Sequence, residues 1–335
     1  MKPATEQLLA TLELLTDGLK FEVPRETDVW HYITPFSWDI EAQGELNALN
    51  LLKFKGAVQL TDAEVAIANW QAIEQQGTPT EEYYLYAPER DERENILDEA
   101  TQAKRIAAYQ SLLELLKAEL QELQVYSFSC SQGYSYRNGT YTSYALVGRT
   151  QDNDWICLAS TVPEQTELKD QEISRSSATE ISASKPLGAH TTAIVSRIAK
   201  VLTELPPLEI YGYYSGGYNY TYEHEIIYKA AAIRELAFEN AADLVEIDKF
   251  NGFYLDKDYF CEEIHYDYDA EEEDLELDQL YLRYQKLNQF LTQNLSNLTV
   301  YRFIFWDWDY IYVLGQTQAG DWLGVETTNE FVYNP

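Results

Sequence analysis

With 335 residues, 45% of them hydrophobic and 14% aromatic, the chain is long enough for about two domains and apolar enough to give each a core. Its 24 Lys and Arg stand against 56 Asp and Glu, a formal charge of −32. That balance argues against disorder of the whole chain, direct nucleic-acid binding and adsorption to an anionic membrane, and makes basic proteins or cations the natural partners. The run Ile304–Trp306 is far shorter than the roughly 20 residues of a spanning helix, and the opening MKPATEQLLATLELL is an amphipathic pattern without a basic leader. A soluble, cytosolic protein is expected.

In chain order, Leu8, Leu9, Leu12 and Leu15 predict an opening helix that Asp17-Gly18 closes, with glycine at the C′ position. The acidic segment EVPRETDVWHY (22–32) follows. Residues 107–128 then read as a long helix running into a strand, with Leu112, Leu116, Leu120 and Leu123 on one helical face. Asn138-Gly139 predicts a type I′ hairpin turn that sets Tyr136 opposite Tyr141. GRTQDNDW (148–155) predicts a second turn, with glycine as a turn residue and Trp155 starting the next strand. Residues 168–189, rich in Ser, Ala and Thr, read as a linker. Beyond it, Ile194, Ile198, Val201 and Leu202 mark a helix that Pro206-Pro207 stops.

The remainder repeats the first part. Residues 282–303 align without a gap on 107–128, and GQTQAGDW (315–322) aligns on 148–155 as G-x-T-Q-x-x-D-W. Two tandem domains are therefore expected, 1–165 and 188–335, joined by a linker over 166–187 and able to fold separately. Helices alternating with antiparallel strands predict α+β domains, each an antiparallel sheet packed with helices.

Two features suit contact with a partner. EEIHYDYDAEEEDLELD (262–278) holds ten carboxylates and no Lys or Arg, a charge pattern able to face a basic cleft, although acids are also favoured at a helix start. A calcium loop is disfavoured, because Glu272 stands where the sharp turn needs glycine. In YGYYSGGYNYTYEHEIIY, Tyr218, Tyr220 and Tyr222 alternate onto one strand face, as a contact surface or an ordinary tyrosine ladder. Cys130, Cys157 and Cys261 form no CxxC pair, and His31, His190, His224 and His265 are scattered. No metal site or cofactor is expected.

LLTDGLKF (14–21), LVEIDKF (244–250) and YQKL…LTVYRF…YVLGQTQAGDWLGVETT (284–328) resemble the cyanobacterial nuclease A inhibitor family. The resemblance implies a small α/β sandwich that binds a sugar-non-specific, magnesium-dependent endonuclease and occludes its active site. A family glutamate in an acidic loop falls on Pro24, leaving Glu22 and Glu26 beside it and Asp28 and Trp30 within the same loop. A mid-chain aromatic before an acidic pair falls at Tyr259 and Phe260, ahead of Glu262 and Glu263. The family's C-terminal threonine, which reaches the nuclease metal, falls on Val332, so a surviving metal contact would come from Glu330, Asn334 or the Pro335 carboxylate.

With Asp267, Asp269, Glu271 and Glu272 of the acidic run, these residues define the expected partner surface. The expected function is that of a non-catalytic acidic protein that binds a basic nuclease. The rivals are a carboxylate-based hydrolase acting on carbohydrate and an interaction scaffold that has lost inhibition. The enzyme reading lacks a nucleophile, base or metal constellation that recurs between the copies.

Overall fold

The computed structural model describes residues 1–21, 31–76, 97–133, 142–164, 173–177, 186–211, 221–254 and 270–330. The Asn138-Gly139 turn with Tyr136 and Tyr141 lies outside them, as do Tyr218 and Tyr220. The elements run α1 (Pro3–Thr16), β1 (Thr34–Trp38), α2 (Ile40–Gln43), α3 (Ala48–Phe54), β2 (Val58–Thr61), α4 (Ala63–Gln76), α5 (Glu99–Glu119), β3 (Gln121–Phe128), β4 (Ser143–Arg149), β5 (Trp155–Ser160) and β6 (Ile173–Ser177). They continue with α6 (Ala189–Leu202), β7 (Leu208–Tyr211), β8 (Thr221–His224), β9 (Ile226–Ala231), α7 (Arg234–Ala241), β10 (Val245–Phe253), α8 (Ala270–Asn294), β11 (Ser296–Phe305), β12 (Trp308–Gln316) and β13 (Trp322–Glu330).

Two compact units result. Unit 1 comprises Met1–Asn50, Gln165–Ile181 and Val245–Asn334; unit 2 comprises Leu51–Glu164 and Ser182–Leu244, together with Pro335. This partition does not coincide with the boundaries expected at 165 and 188, because each unit draws on both sequence copies. Both are antiparallel sheets packed with helices, an α+β architecture.

In unit 1 the sheet order is β1-β13-β12-β11-β10-β6. The leucine stripe of α1, Leu287 and Leu291 of α8 and Leu295 just after it pack with Val300, Ile311, Val313, Leu323 and Val325 of the sheet. Pro3 opens α1, where a missing N–H costs nothing, and Gly18 ends it at φ +61°. In unit 2 the order is β2-β3-β4-β5-β9. Leu112 and Leu116 of α5, Leu120 just after it, and Ile194 and Ile198 of α6 pack there with Leu146, Ile156 and Leu158. Each such side chain removed from water contributes about 1.5–3 kcal/mol.

The repeat extends to backbone irregularities that no hydrophobic pattern reveals. Glu122 and Asn297, equivalent positions just after the two long helices, both take positive φ (51° and 53°), and both sit at a register shift between paired strands. Two expectations are corrected. The linker contains β6, an edge strand on β10: Ile173 is buried in the unit 1 core and Arg175 pairs with Glu246 and Asp248, contacts that a Ser-rich composition hides. Gly148 and Gly315 lie within β4 and β12, ahead of the turns. A Cβ on Gly148 would stand 2.8 Å from Leu120 Cβ, and one on Gly315 would stand 2.7 Å from Leu295 Cβ. Glycine is needed so that the leucine directly after each long helix can rest on the strand.

Gly315→Ala and Gly148→Ala should each destabilise the protein by about 1–3 kcal/mol through overpacking, read from the urea midpoint at an unchanged slope.

Candidate functional site: the stem of the acidic segment

In unit 1 the chain leaves α1, passes through the acidic segment and returns as β1, and its two ends form a closed stem. Phe21 N–H donates to the His31 carbonyl and Ile33 N–H to the Leu19 carbonyl, both at 2.8 Å, and Lys20 bridges Tyr32 in antiparallel fashion. Leu19, Phe21 and Ile33 point into the core. From α8 the Tyr284 hydroxyl stands 2.8 Å from the Lys20 carbonyl and 2.6 Å from that of Phe21, and the Arg283 guanidinium donates to the Gly18 and Asp17 carbonyls. The segment thus springs from a rigid base, with Tyr32 exposed beside it.

The same stem touches the terminal strand. β1 pairs with β13 from Thr34↔Glu326 to Trp38↔Trp322. His31 Nδ1 lies 2.8 Å from Thr328 Oγ1, and its ring meets Trp308 edge-on at 5.8 Å. Trp308 is the cross-strand partner of Glu330. Burial lowers the pKa of His31, favouring the neutral ring. The base of segment 22–30 and Glu330 are therefore brought to one end of the sheet.

Of the other expected contact residues, Glu22, Glu26, Asp28, Trp30, Tyr259, Phe260, Glu262, Glu263, Asp267, Asp269, Asn334 and Pro335 lie outside the described residues. Glu271 and Glu272 fall in the first turn of α8, where the helix dipole favours acids whatever else they do. Sequence reasoning missed His31, Tyr284 and Thr328. Tyr284 carried a signal, since it shares a repeat column with Tyr109. His31 carried none.

Unit 2 holds an equivalent of the stem with different chemistry. Where unit 1 has the acidic segment, unit 2 has the β7–β8 pair, from Leu208↔His224 to Tyr211↔Thr221. Tyr109, the counterpart of Tyr284, donates instead to Glu74 Oε1 at 2.6 Å. Arg105 grips the same carboxylate at 2.9 and 2.6 Å and donates to the Pro206 carbonyl at 2.8 Å. Burial, then Glu74, raises the pKa of the Tyr109 hydroxyl. His224 is buried with neither ring nitrogen hydrogen-bonded, and desolvation pushes its pKa down to about 4.

Four of the five buried carboxylates among the described residues have these structural partners: Glu74 has Arg105 and Tyr109, Asp309 has Arg302 at 2.8 and 2.6 Å, Asp154 has the Gly188 N–H, and Asp321 has Lys2 and Thr5. Cys157 is buried and its thiol pKa is raised by desolvation, so it is not poised as a thiolate. Among the described residues no group of three or more His, Cys, Asp and Glu could hold a metal ion.

A family described as nuclease A inhibitor-like protein matches residues 6–165 and 232–329, well over half of the chain. The chain belongs to the nuclease A inhibitor-like family. No curated protein matches it. The matched segments of this inhibitor-like chain include both sides of the stem, with Tyr284 and Thr328, and leave out β6, α6, β7, β8 and β9. Among the described residues no helix is long and apolar enough to cross a membrane.

Tyr284→Phe should cost about 1 kcal/mol, the net worth of a hydrogen bond, and should speed hydrogen exchange at the Phe21 and Ile33 amides. His224 gives a pH test. Its folded pKa lies below the usual 6.5, so the folded state resists protonation; stability is intact above about pH 6.5 and lost as pH falls toward 4, by about 3 kcal/mol at most. The pH dependence of urea unfolding between 7 and 4.5 should be correspondingly shallower in His224→Phe.

Proposed function

We propose that the chain is a non-catalytic acidic inhibitor of a sugar-non-specific, magnesium-dependent nuclease and that unit 1 carries the contact. The observation that supports this most strongly is the stem: the residues on either side of segment 22–30 are fixed, Lys20 and Phe21 by Tyr284 from α8 and His31 by Thr328 of the strand that leads to Glu330. A nuclease must keep Arg and Lys in its substrate cleft, and a carboxylate segment whose two ends are fixed offers such a cleft complementary charge. The carboxylates of Glu22, Glu26 and Asp28, with Glu330 at the adjacent strand end, are the proposed first contacts. The run 262–278 supplies long-range attraction, and a charge of −32 sets its sign. The structural use of Glu74, Asp154, Asp309 and Asp321 keeps these four out of a hydrolytic pair and so supports inhibition rather than hydrolysis.

The test is titration of the full chain into an assay of such a nuclease on DNA and on RNA, with magnesium in excess. Stoichiometric inhibition of both activities is expected, weakened in about 0.5 M salt as exposed charges are screened. Replacing Asp267, Asp269, Glu271 and Glu272 with Asn or Gln should slow association several-fold while changing dissociation little. Full nuclease activity at saturating protein, with no complex by gel filtration, would remove the proposal.

A further inference from the structure

The two sequence copies are not the two compact units, and the difference is systematic. In each copy the long helix, the following strands and the T-Q-x-x-D-W turn stay together, whereas the segment that opens the copy sits on the other copy's turn. Lys2, the residue before α1, donates its backbone N–H to Asp321 Oδ2 at 3.1 Å; Thr5, in the first turn, donates to the same oxygen at 2.8 Å and lies 3.3 Å from Thr317 Oγ1. Gly188, the residue before α6, donates its N–H to Asp154 Oδ2 at 2.8 Å, and Thr191 Oγ1 lies 2.7 Å from Thr150 Oγ1. In the repeat Asp321 is the counterpart of Asp154 and Thr317 of Thr150. Both helices have 14 residues and dock with the same turn of the helix on the same turn of the chain.

The strands agree. β1, from the first copy, flanks β13 of the second, pairing Trp38 with Trp322. β9, from the second copy, flanks β5 of the first, pairing Ala231 with Trp155. The next strand then returns to its own copy in each case: β2 pairs Val58 with Phe128, and β10 pairs Val245 with the equivalent Phe303. The crossing points therefore lie between β1 and β2 and between β9 and β10.

We propose that the two copies have exchanged their opening segments reciprocally, so that each unit is an inhibitor-like domain completed by the other copy. On the reading of unit 1 as the partner-binding unit, its contact surface is composite: the stem of segment 22–30 belongs to the first copy, and Tyr284, Thr328 and Glu330 belong to the second. Neither copy carries the surface alone.

The full chain tests this in two ways. Thr5→Val and Asp321→Ala should be non-additive, the double variant unfolding at the midpoint of Asp321→Ala alone, whereas Thr5→Val and Asp154→Ala should add. An unexchanged tandem demands the reverse pairing, and finding Thr5 coupled to Asp154 would overturn the exchange. The second test needs no destabilising change. A protease site inserted within residues 178–185 is cut after folding; the exchange predicts one native particle of the intact chain's size, separable into two fragments only in denaturant, whereas fragments that part under native conditions refute it. Nuclease inhibition should survive the cut undiminished. An intact chain that never inhibits would sink the functional reading and leave the exchange to be decided by the coupling and the cut.

Discussion

Everything in this protein is arranged around one small polar contact made twice: a turn carboxylate that accepts hydrogen bonds from the start of a helix. In unit 1 the turn closes through Thr317 N–H to the Asp321 carbonyl at 2.8 Å and Gly320 N–H to the Thr317 carbonyl at 2.9 Å, leaving the Asp321 carboxylate aimed at the first turn of α1. In unit 2 the same turn closes through Thr150 and Asp154 at 2.8 Å, and the Asp154 carboxylate meets α6. Each carboxylate satisfies N–H groups that a helix start leaves open and sits where the dipole favours negative charge. Both are buried, so the contact fixes which helix can dock and at what height.

The surroundings of that contact have diverged in compensating ways. Gly188 has no side chain, and a Cβ there would run into Asp152, whose carboxylate accepts the Thr191 N–H at 3.0 Å. That bond holds the Asp152 carboxyl below the usual range. Unit 1 has Lys2 in place of the glycine and Ala319 in place of the aspartate, and the Lys2 ammonium reaches the Ala319 carbonyl. A charge deleted from the turn has been matched by a donor added to the cap.

Further from the contact the two units part in chemistry. Tyr284 and Tyr109 occupy one structural position, yet one hydroxyl holds the backbone beneath an acidic segment and the other closes a buried Glu74–Arg105 pair. His31 and His224 are likewise equivalent, and both are buried; His31 has Thr328 beside it, whereas His224 has neither ring nitrogen hydrogen-bonded. Unit 1 uses these positions to close the base of a chain segment, unit 2 to close an interior. A shared scaffold therefore need not imply a shared partner surface.

The sequence by itself determined the elements and their repetition. Apolar spacing placed α1, α5, α6 and α8, the G-x-T-Q-x-x-D-W blocks placed the turns, and the acidic composition set the net charge, because helical periodicity, turn chemistry and net charge are local or additive properties. Tertiary structure alone decided which copy's helix meets which turn, since Asp154 and Asp321 offer nearly the same cap and the linear pattern carries no record of the choice. It also decided that Ile173–Ser177 joins a sheet, that Gly148 and Gly315 make room for a leucine, and that His31, Tyr284 and Thr328 stand around one stem. These depend on residues up to 297 positions apart, whose proximity is set by packing and by the need to pair every buried donor.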